Sequence, residues 1–206
     1  MPCTGSRTSW TRPLRSGSAP AAVLQTDLEI ALDAGYLKSF KPNGCFRTHL
    51  AYWDPQAVAV PLFQDPWKRD PRLVFGVRIN GKVLGALLST ATPHSYLPRV
   101  TAERLGLTPG SPGATREDPL PGHAPDNPVW KVPVPELSIG SLQVNGVDLR
   151  LMDLPYSGDL LVLGADFLHR YRVYIATSQK QVYFSAVTTP REVKRGSVKV
   201  IPQVLN

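Results

Sequence analysis

The arrangement of residues 74–88 constrains the fold of this chain more than any other feature. Residues 74–79 alternate between apolar side chains and others, Asn80 and Gly81 interrupt the alternation, and residues 83–88 are almost entirely apolar. Asn and Gly tolerate the positive φ that both central residues of a type I′ turn require. The pattern therefore predicts two antiparallel strands joined by a two-residue hairpin turn.

A short run of small and turn-forming residues follows the second predicted strand, from Ser89 to Pro93. After it, residues 98–104 have the pattern of a short helix, and Gly106 is well placed to end that helix. A buried strand therefore leads directly into a small polar loop. Loops held on a rigid scaffold in this way often carry the functional residues of a protein.

The proline and glycine content favours many turns and little helix. The chain has 206 residues, of which 21 are proline and 16 are glycine, and this share is above the average for globular proteins. We predict a mostly β protein of one domain with irregular flanks. In chain order we expect a disordered tail over residues 1–20, an irregular extension with one short helix over 21–70, the domain over 71–186 and a basic tail over 187–206.

The short helix of the extension is predicted from apolar residues within 21–40. Leu24, Leu28, Leu32 and Tyr36 follow one another at helical spacing. Elsewhere in the extension, prolines and mixed aromatic residues allow only isolated strands.

The second half of the domain repeats the pattern of the first. A long loop rich in proline over 108–128 leads to a strand over 129–134, which its prolines should restrict to a sheet edge. Residues 137–153 then contain a second Asn-Gly pair, Asn145 and Gly146, between apolar runs. We predict a second hairpin there, about 65 residues after the first.

Residues 160–168 follow the second predicted hairpin. They contain an apolar run that ends in Gly164 and then a predicted short helix. Two closing strands, over 171–175 and 181–184, should be separated by the polar turn of residues 177–180.

Residues 87–92, with the sequence Leu-Leu-Ser-Thr-Ala-Thr, together with the hairpin before them, resemble the catalytic region of retropepsin-like aspartic proteases. In that family the loop reads Asp-Thr-Gly followed by a small residue. Thr90 matches the family's threonine, whereas Ser89 stands where the catalytic aspartate belongs and Ala91 stands where the glycine belongs. The resemblance implies a closed antiparallel β-barrel of the acid-protease type with one or two short helices.

The resemblance also implies roles for residues outside the loop. The strand with Trp130 and Val132 would belong to the flap or line the substrate groove. Leu163 and Gly164 would support the loop from beneath, and we interpret Asp166 as the cap of the following helix rather than as a catalytic acid. The family implies a homodimer that binds an extended peptide or protein segment, because each subunit supplies one loop.

The reaction of this family requires two carboxylates that cannot both ionise, so that one acts as acid and the other activates water. A homodimer of this chain would bring two serine hydroxyls together instead, and a serine hydroxyl needs a neighbouring base to react. Loss of general acid–base assistance typically costs about 10² to 10⁴ in rate. We therefore expect ordinary aspartic proteolysis to be abolished or nearly so.

Three functions stay open from the sequence. The first is a degenerate domain, a pseudoprotease, that binds peptide without cutting it. The second is an active aspartic endopeptidase in which Asp159, Asp166 or a partner chain supplies a carboxylate. The third is a nucleic-acid or scaffold interaction protein that uses the basic tail. A serine-hydrolase triad of Ser89, His94 and either Asp118 or Asp126 is a remote possibility, since no nucleophile elbow surrounds Ser89.

The sequence indicates no cofactor and no metal site. Cys3 and Cys45 have no Cys or His at the spacing of metal ligands, and the four histidines are scattered. The net charge of +7 is spread along the chain without a recognised nucleic-acid motif, so we do not expect nucleic acid as a partner. No run of residues has the length and apolarity of a membrane span or a signal peptide, which leaves the cytoplasm as the default location.

Overall fold

The computed structural model describes residues 26–41, 48–63, 72–118, 128–152 and 158–187. These residues form fourteen strands and two short α-helices. The helices are α1 (Arg99–Arg104) and α2 (Ala165–Leu168). The strands are β1 Asp27–Ala31, β2 Tyr36–Phe40, β3 Val58–Phe63, β4 Val74–Ile79, β5 Lys82–Leu88, β6 Tyr96–Leu97, β7 Thr115–Glu117, β8 Val129–Val134, β9 Leu137–Ile139, β10 Leu142–Gln143, β11 Val147–Leu151, β12 Leu161–Leu163, β13 Tyr171–Ala176 and β14 Gln181–Ala186.

The strands confirm a mostly β fold, but the sheet does not close into the barrel that we expected. Twelve of the strands follow one path, in the order β2, β1, β13, β14, β3, β4, β5, β12, β6, β11, β8, β7. A closed barrel requires the first and last strands of the path to pair with each other. Here β2 is a largely exposed outer strand, and β7 is a three-residue strand that pairs with β8. The described sheet is therefore open at β2 and β7.

The N-terminal stretch forms a β-hairpin, and the prediction of a short helix over its described part is wrong. β1 and β2 pair antiparallel across a turn in which Gly35 has a φ of +73°. β1 also pairs with β13, where Leu28 lies opposite Ile175. Leu28 and Ile30 are separated by one strand period, so the sequence fits a strand as well as a helix. The pairing with β13 favours the strand.

The strand β3 joins the N-terminal stretch to the rest of the fold. It pairs with β14 on one side, Val60 opposite Val182, and with β4 on the other, Leu62 opposite Phe75. The described strands before and after residue 71 therefore share one sheet, so the extension is not an irregular appendage. Both predicted tails, apart from Val187, and both cysteines lie outside the described residues.

The first hairpin and the helix after it confirm the prediction from the sequence. β4 and β5 pair antiparallel around Asn80 and Gly81, whose φ values are 47° and 77°. Helix α1 ends just before Gly106, which has a φ of 78°. Residues in the left-handed region are rarely other than Gly or Asn, so these positions explain why the local signal was reliable.

The second predicted hairpin is wrong in its pairing. The tight turn lies at Gly140, between β9 and β10, whereas Asn145 and Gly146 only connect β10 to β11. β11 pairs antiparallel with β8 and parallel with β6. Turn chemistry indicates where the chain can reverse, but it does not determine which strands become neighbours.

The strand β8 is not at the edge of the sheet, as its prolines had suggested. It lies between β11 and β7, and Pro133 pairs with Asp148 of β11. The ladder with β7 involves Val129 to Lys131 only, so Pro133 lies beyond the part of β8 that has neighbours on both sides. The closing strands β13 and β14, with a 3₁₀ turn over Thr177–Gln179, confirm the prediction for that region.

The main core consists of buried apolar side chains from the strands and from both helices. Its fully buried members come from strands at distant points of the chain, including Phe75, Ile79, Leu149, Leu161 and Val182. Within the described ranges, no helix has the length and apolarity needed to cross a membrane.

Candidate functional site

The loop that begins at Ser89 is held by the parallel pair of β5 and β12. Leu163 of β12 lies opposite Leu88, and the Ser89 amide donates a hydrogen bond to the Leu163 carbonyl oxygen at 2.9 Å. All three residues of β12 are buried. Because both strands continue into the core, the first residue of this loop has little freedom. We call residues 89–95 the motif loop.

The first three residues of the motif loop reach the surface. Ser89 is half-buried, whereas Thr90 and Ala91 are exposed. Among the described residues, the non-glycine positions with positive φ are Asn80 and Lys180, so Ala91 has an ordinary backbone conformation. The loop at this position therefore does not need the conformational freedom that a glycine would provide.

The far end of the motif loop is fixed by the start of α2. The amide of Ala165 donates to the Thr92 carbonyl oxygen at 2.8 Å, and the amide of Asp166 donates to the Pro93 carbonyl oxygen at 3.1 Å. A Cβ added at Gly164 would overlap the carbonyl group of His94 and lie 2.9 Å from the Thr92 oxygen. Only glycine fits such a close approach of two backbones.

Asp166 connects α2 to the motif loop, and it also accepts a hydrogen bond from the Phe167 amide in the first turn of α2, although it is not the N-cap residue. The N-cap position of α2 belongs to Gly164 and has no side-chain hydrogen bond. The Asp166 carboxylate also accepts hydrogen bonds from the Ser95 amide at 2.9 Å and from the Ser95 hydroxyl at 2.7 Å. The Ser95 hydroxyl in turn accepts from the Gly164 amide at 3.1 Å. Loop and helix are thus joined by side chains as well as by backbone.

An arginine that the sequence analysis did not identify contacts this group of residues. Arg150 of β11 donates from Nε and Nη2 to the two carboxylate oxygens of Glu117, at 3.1 and 3.2 Å. Its Nη1 lies 3.7 Å from Asp166 Oδ2. In the sequence, Arg150 is only a charged residue among apolar ones. This pattern does not indicate its partners Glu117 and Asp166, which lie 33 and 16 positions away.

A comparison with protein families shows what this arrangement is similar to. Residues 75–167 match the family model described as aspartyl protease. This part of the chain is therefore similar to aspartyl proteases. The matched segment begins in β4 and ends in α2, so it includes the motif loop, Gly164 and Arg150.

Solved structures also resemble the chain, at low identity. A retropepsin-like aspartic protease from Rickettsia conorii has 13% identity and a TM-score of 0.43, covering 62% of this chain and 89% of that one. The EIAV protease in complex with an inhibitor has 20% identity and a TM-score of 0.38, covering 52% and 91%. Basic 7S globulin from soybean has 14% identity and a TM-score of 0.39, covering 77% and 50%. No curated protein sequence matches the chain.

Asp159 and Asp166, the two acids of this chain that we considered as the source of a carboxylate, both have partners. Asp159 lies 3.3 Å from Arg104 of α1, and its side chain is 77% exposed. Asp166 contacts the motif loop, but its Oδ1 also accepts from the Phe167 amide at 2.8 Å. His94 Nδ1 lies 3.8 Å from Asp166, which was not considered for a triad with Ser89; of the two acids that were, Asp118 and Asp126, the second lies outside the described residues.

The two residues predicted for the groove or flap differ in exposure. Val132 is 0% exposed and belongs to the main core, whereas Trp130 is half-buried and packs against that core. Both lie on β8, which pairs with β7. The segment that joins β7 to β8, residues 119–127, lies outside the described residues. We call β7 and β8 the flap ribbon.

A pocket of about 180 Å³ is lined by Asp166 and by Ser95, the last residue of the motif loop. Arg150, Arg170, Asp148 and Asp166 give it a mixed charge. Arg170 donates a hydrogen bond to the Gly146 carbonyl oxygen at 2.9 Å. Arg150, Asp166 and Arg170 of this pocket thus all have partners within the described fold.

Proposed function

We propose that residues 75–167 form a retropepsin-like domain that binds an extended peptide and does not hydrolyse it. The observation that carries this proposal is the motif loop itself. Its two ends are fixed by β12 and α2, while Ser89 occupies the position of the family's aspartate and no residue from Ser89 to Pro98 is acidic. The scaffold of the loop is present without the carboxylate.

The chemistry of the family supports the loss of hydrolysis. Two carboxylates share one proton, and the ionised member activates water. A serine hydroxyl does neither at physiological pH unless a base accepts its proton. A dimer with Ser89 in both subunits lacks the acid and the base together, and each role typically contributes about 10² to 10⁴ in rate.

Binding of peptide does not depend on the missing aspartate. An extended peptide is held mainly by main-chain hydrogen bonds to strands, with pockets for alternate side chains. We propose that the flap ribbon supplies part of this surface and that the half-buried Trp130 contacts the peptide. Val132 supports the ribbon from the core, because its side chain is not accessible.

We also propose that two copies of the chain form a homodimer through their motif loops. The chain has one such loop, and the exposed Thr90 and Ala91 are available to a second copy. In the family, the paired threonines form hydrogen bonds across the dimer, and this role survives without the aspartate. Analytical ultracentrifugation tests the state directly: a dimer that Thr90→Val weakens supports the proposal, and a monomer at all concentrations contradicts it.

Retained proteolysis is the second candidate function, because Asp166 does contact the motif loop. For Asp166 to act as an acid or base, it would have to release the hydrogen bonds from Ser95. Residual cleavage by the native chain that Asp166→Asn abolishes would favour this candidate.

A restored motif provides the experiment. The double variant Ser89→Asp, Ala91→Gly regains the family's loop, and Ser89→Asn, Ala91→Gly is its matched control with the same shape and no acid. We expect the aspartate variant alone to cleave a peptide library between acidic and neutral pH. Cleavage by the native chain would overturn the proposal. If neither the native chain nor either double variant cleaves, the domain does not have the substrate groove of a retropepsin-like protease.

A further inference from the structure

Three charged residues from separate elements meet beside the motif loop. Glu117 is the last residue of β7, Arg150 lies in β11 and Asp166 lies in α2. Arg150 binds Glu117 through two parallel hydrogen bonds and lies 3.7 Å from Asp166. A planar guanidinium can hold two carboxylates at fixed angles, which a lysine ammonium cannot do.

Burial makes this arrangement different from an ordinary surface ion pair. The side chain of Arg150 is 13% exposed, while those of Glu117 and Asp166 are 34% and 32% exposed. A guanidinium so far removed from water needs its partners to remain charged and in place. Exposed pairs, by contrast, contribute little and tolerate movement.

Arg150 acts on the motif loop through its backbone as well. Its amide donates a hydrogen bond to the Ser95 carbonyl oxygen at 2.9 Å. Its side chain lies against Asp166, whose carboxylate accepts both the amide and the hydroxyl of Ser95. Ser95 itself is 1% exposed. The amide and the hydroxyl of Ser95 thus bind Asp166, the hydroxyl also accepts from Gly164, and the carbonyl oxygen accepts from Arg150.

Glu117 connects the same arginine to the flap ribbon. It lies opposite Val129 in the ladder of β7 and β8, immediately before the segment that joins the two strands. A movement of the ribbon that displaces Glu117 must therefore stretch or break its two hydrogen bonds to Arg150.

We infer that Arg150 is a positioning residue that couples the flap ribbon to the motif loop. This inference rests on the proposed function, because it explains how the flap ribbon and the motif loop, as two sides of the proposed peptide groove, keep their relative positions. Peptide seated under the ribbon fixes Glu117, which fixes Arg150, and through Asp166 and Ser95 the loop is held in its binding conformation. Ribbon and loop then respond to peptide together.

Hydrogen–deuterium exchange of the full chain tests the coupling without any peptide. The readout is the amide of Ser95, which Asp166 protects. In Glu117→Gln we expect this amide to exchange about 2- to 30-fold faster, the range that coupled positions usually give. Arg150→Gln should have the same effect, and Arg150→Lys should fall between it and the native chain, since lysine retains the charge but not the fork.

The comparison of double and single variants separates coupling from general loosening. Glu117→Gln should add nothing when Arg150 is already glutamine. The matched control is Arg104→Gln, which removes the exposed pair with Asp159 and should leave the Ser95 amide unchanged. If Arg150→Gln does not fold, the comparison is made in the Arg150→Lys background, where a reduced effect of Glu117→Gln is expected. An unchanged Ser95 amide in Glu117→Gln, or effects that add in full, would overturn the inference.

Peptide affinity is the second readout. With the peptide that the restored-motif variant cleaves, Glu117→Gln should weaken binding by about 2- to 30-fold. If the native chain binds no peptide, the proposed function fails, while the exchange of Ser95 still decides whether the ribbon and the loop are coupled.

Discussion

Replacing Gly164 with alanine tests whether the motif loop is held by backbone contact. The new Cβ would overlap the His94 carbonyl and lie 2.9 Å from the Thr92 oxygen, and these are backbone atoms that cannot rotate away. The loop must therefore move off α2. That movement weakens the hydrogen bonds from Ala165 to Thr92 and from Asp166 to Pro93, each of which contributes about 0.5–1.5 kcal/mol.

Overpacking against a fixed neighbour adds about 1–3 kcal/mol to this loss. We therefore expect Gly164→Ala to lower the free energy of unfolding by about 2–6 kcal/mol, a large share of the stability of a small domain, which is typically about 5–15 kcal/mol. Urea denaturation followed by tryptophan fluorescence measures the change as a shift of the midpoint at constant slope.

Gly76→Ala is the matched control for this measurement. Gly76 lies in β4 with no positive φ, and a Cβ there would meet only the edge of the Phe63 ring at 4.0 Å. Alanine should be neutral at this position, or stabilise by about 0.4–1 kcal/mol through the unfolded chain. If Gly164→Ala behaved like Gly76→Ala, α2 would not hold the motif loop by backbone contact, and this part of the account would be wrong.

Three further changes test the core and its buried charges. Leu161→Ala should cost about 2–5 kcal/mol in urea unfolding, because the side chain is fully buried; a cost below about 1 kcal/mol would contradict the buried position of β12. Glu29→Gln should cost about 3–5 kcal/mol, since it leaves Arg172 without the buried carboxylate it binds; thermal unfolding measures this, and a neutral result would contradict it. The hydrogen bond from Ser185 holds the pKa of Asp54 below its usual value, so Asp54 stabilises the fold above its unfolded pKa and loses this effect as pH falls through the folded pKa. The stability gap between the native chain and Asp54→Asn should therefore narrow in acid, and a gap that widens would refute the sign.

Local signals allowed one half of the site to be predicted from the sequence. Asn80 and Gly81 adopt the positive φ values of the predicted turn, and the strand after them ends at the loop that begins with Ser89. The apolar run that ends at Gly164 pairs with this strand, and Leu163 accepts a hydrogen bond from the Ser89 amide. In each case a few consecutive residues determine the conformation, because positive φ or close backbone approach restricts the choice of side chain.

Partners that are distant in the sequence could not be predicted in the same way. Leu28 and its neighbours fit a helix or a strand, and the strand is favoured by pairing with residues near Ile175. Asn145 and Gly146 have the chemistry of a hairpin turn, yet the strand after them pairs with β8 and β6 instead of β10. Strand propensity depends on the neighbours that the rest of the fold supplies.

The charged residues around the motif loop show the same limit. Asp166 was predicted to contact its own helix, and it does accept from the Phe167 amide, but the sequence did not indicate its hydrogen bonds with Ser95, which lies 71 positions away. The contacts of Arg150 with Glu117 and Asp166 became recognisable only in the folded chain, where β11, β7 and α2 lie close together. Side-chain networks of this kind depend on tertiary structure, so a single sequence does not show which residues they connect.

Peptide binding without hydrolysis is the central claim, and one titration tests it most directly. A peptide that the Ser89→Asp, Ala91→Gly variant cleaves is titrated into the native chain by calorimetry, and the mixture is then analysed by mass spectrometry. We predict a saturable complex from which the peptide is recovered intact. Recovery of cleaved peptide from the native chain, or a complete absence of binding heat and of any shift in thermal stability, would contradict the account.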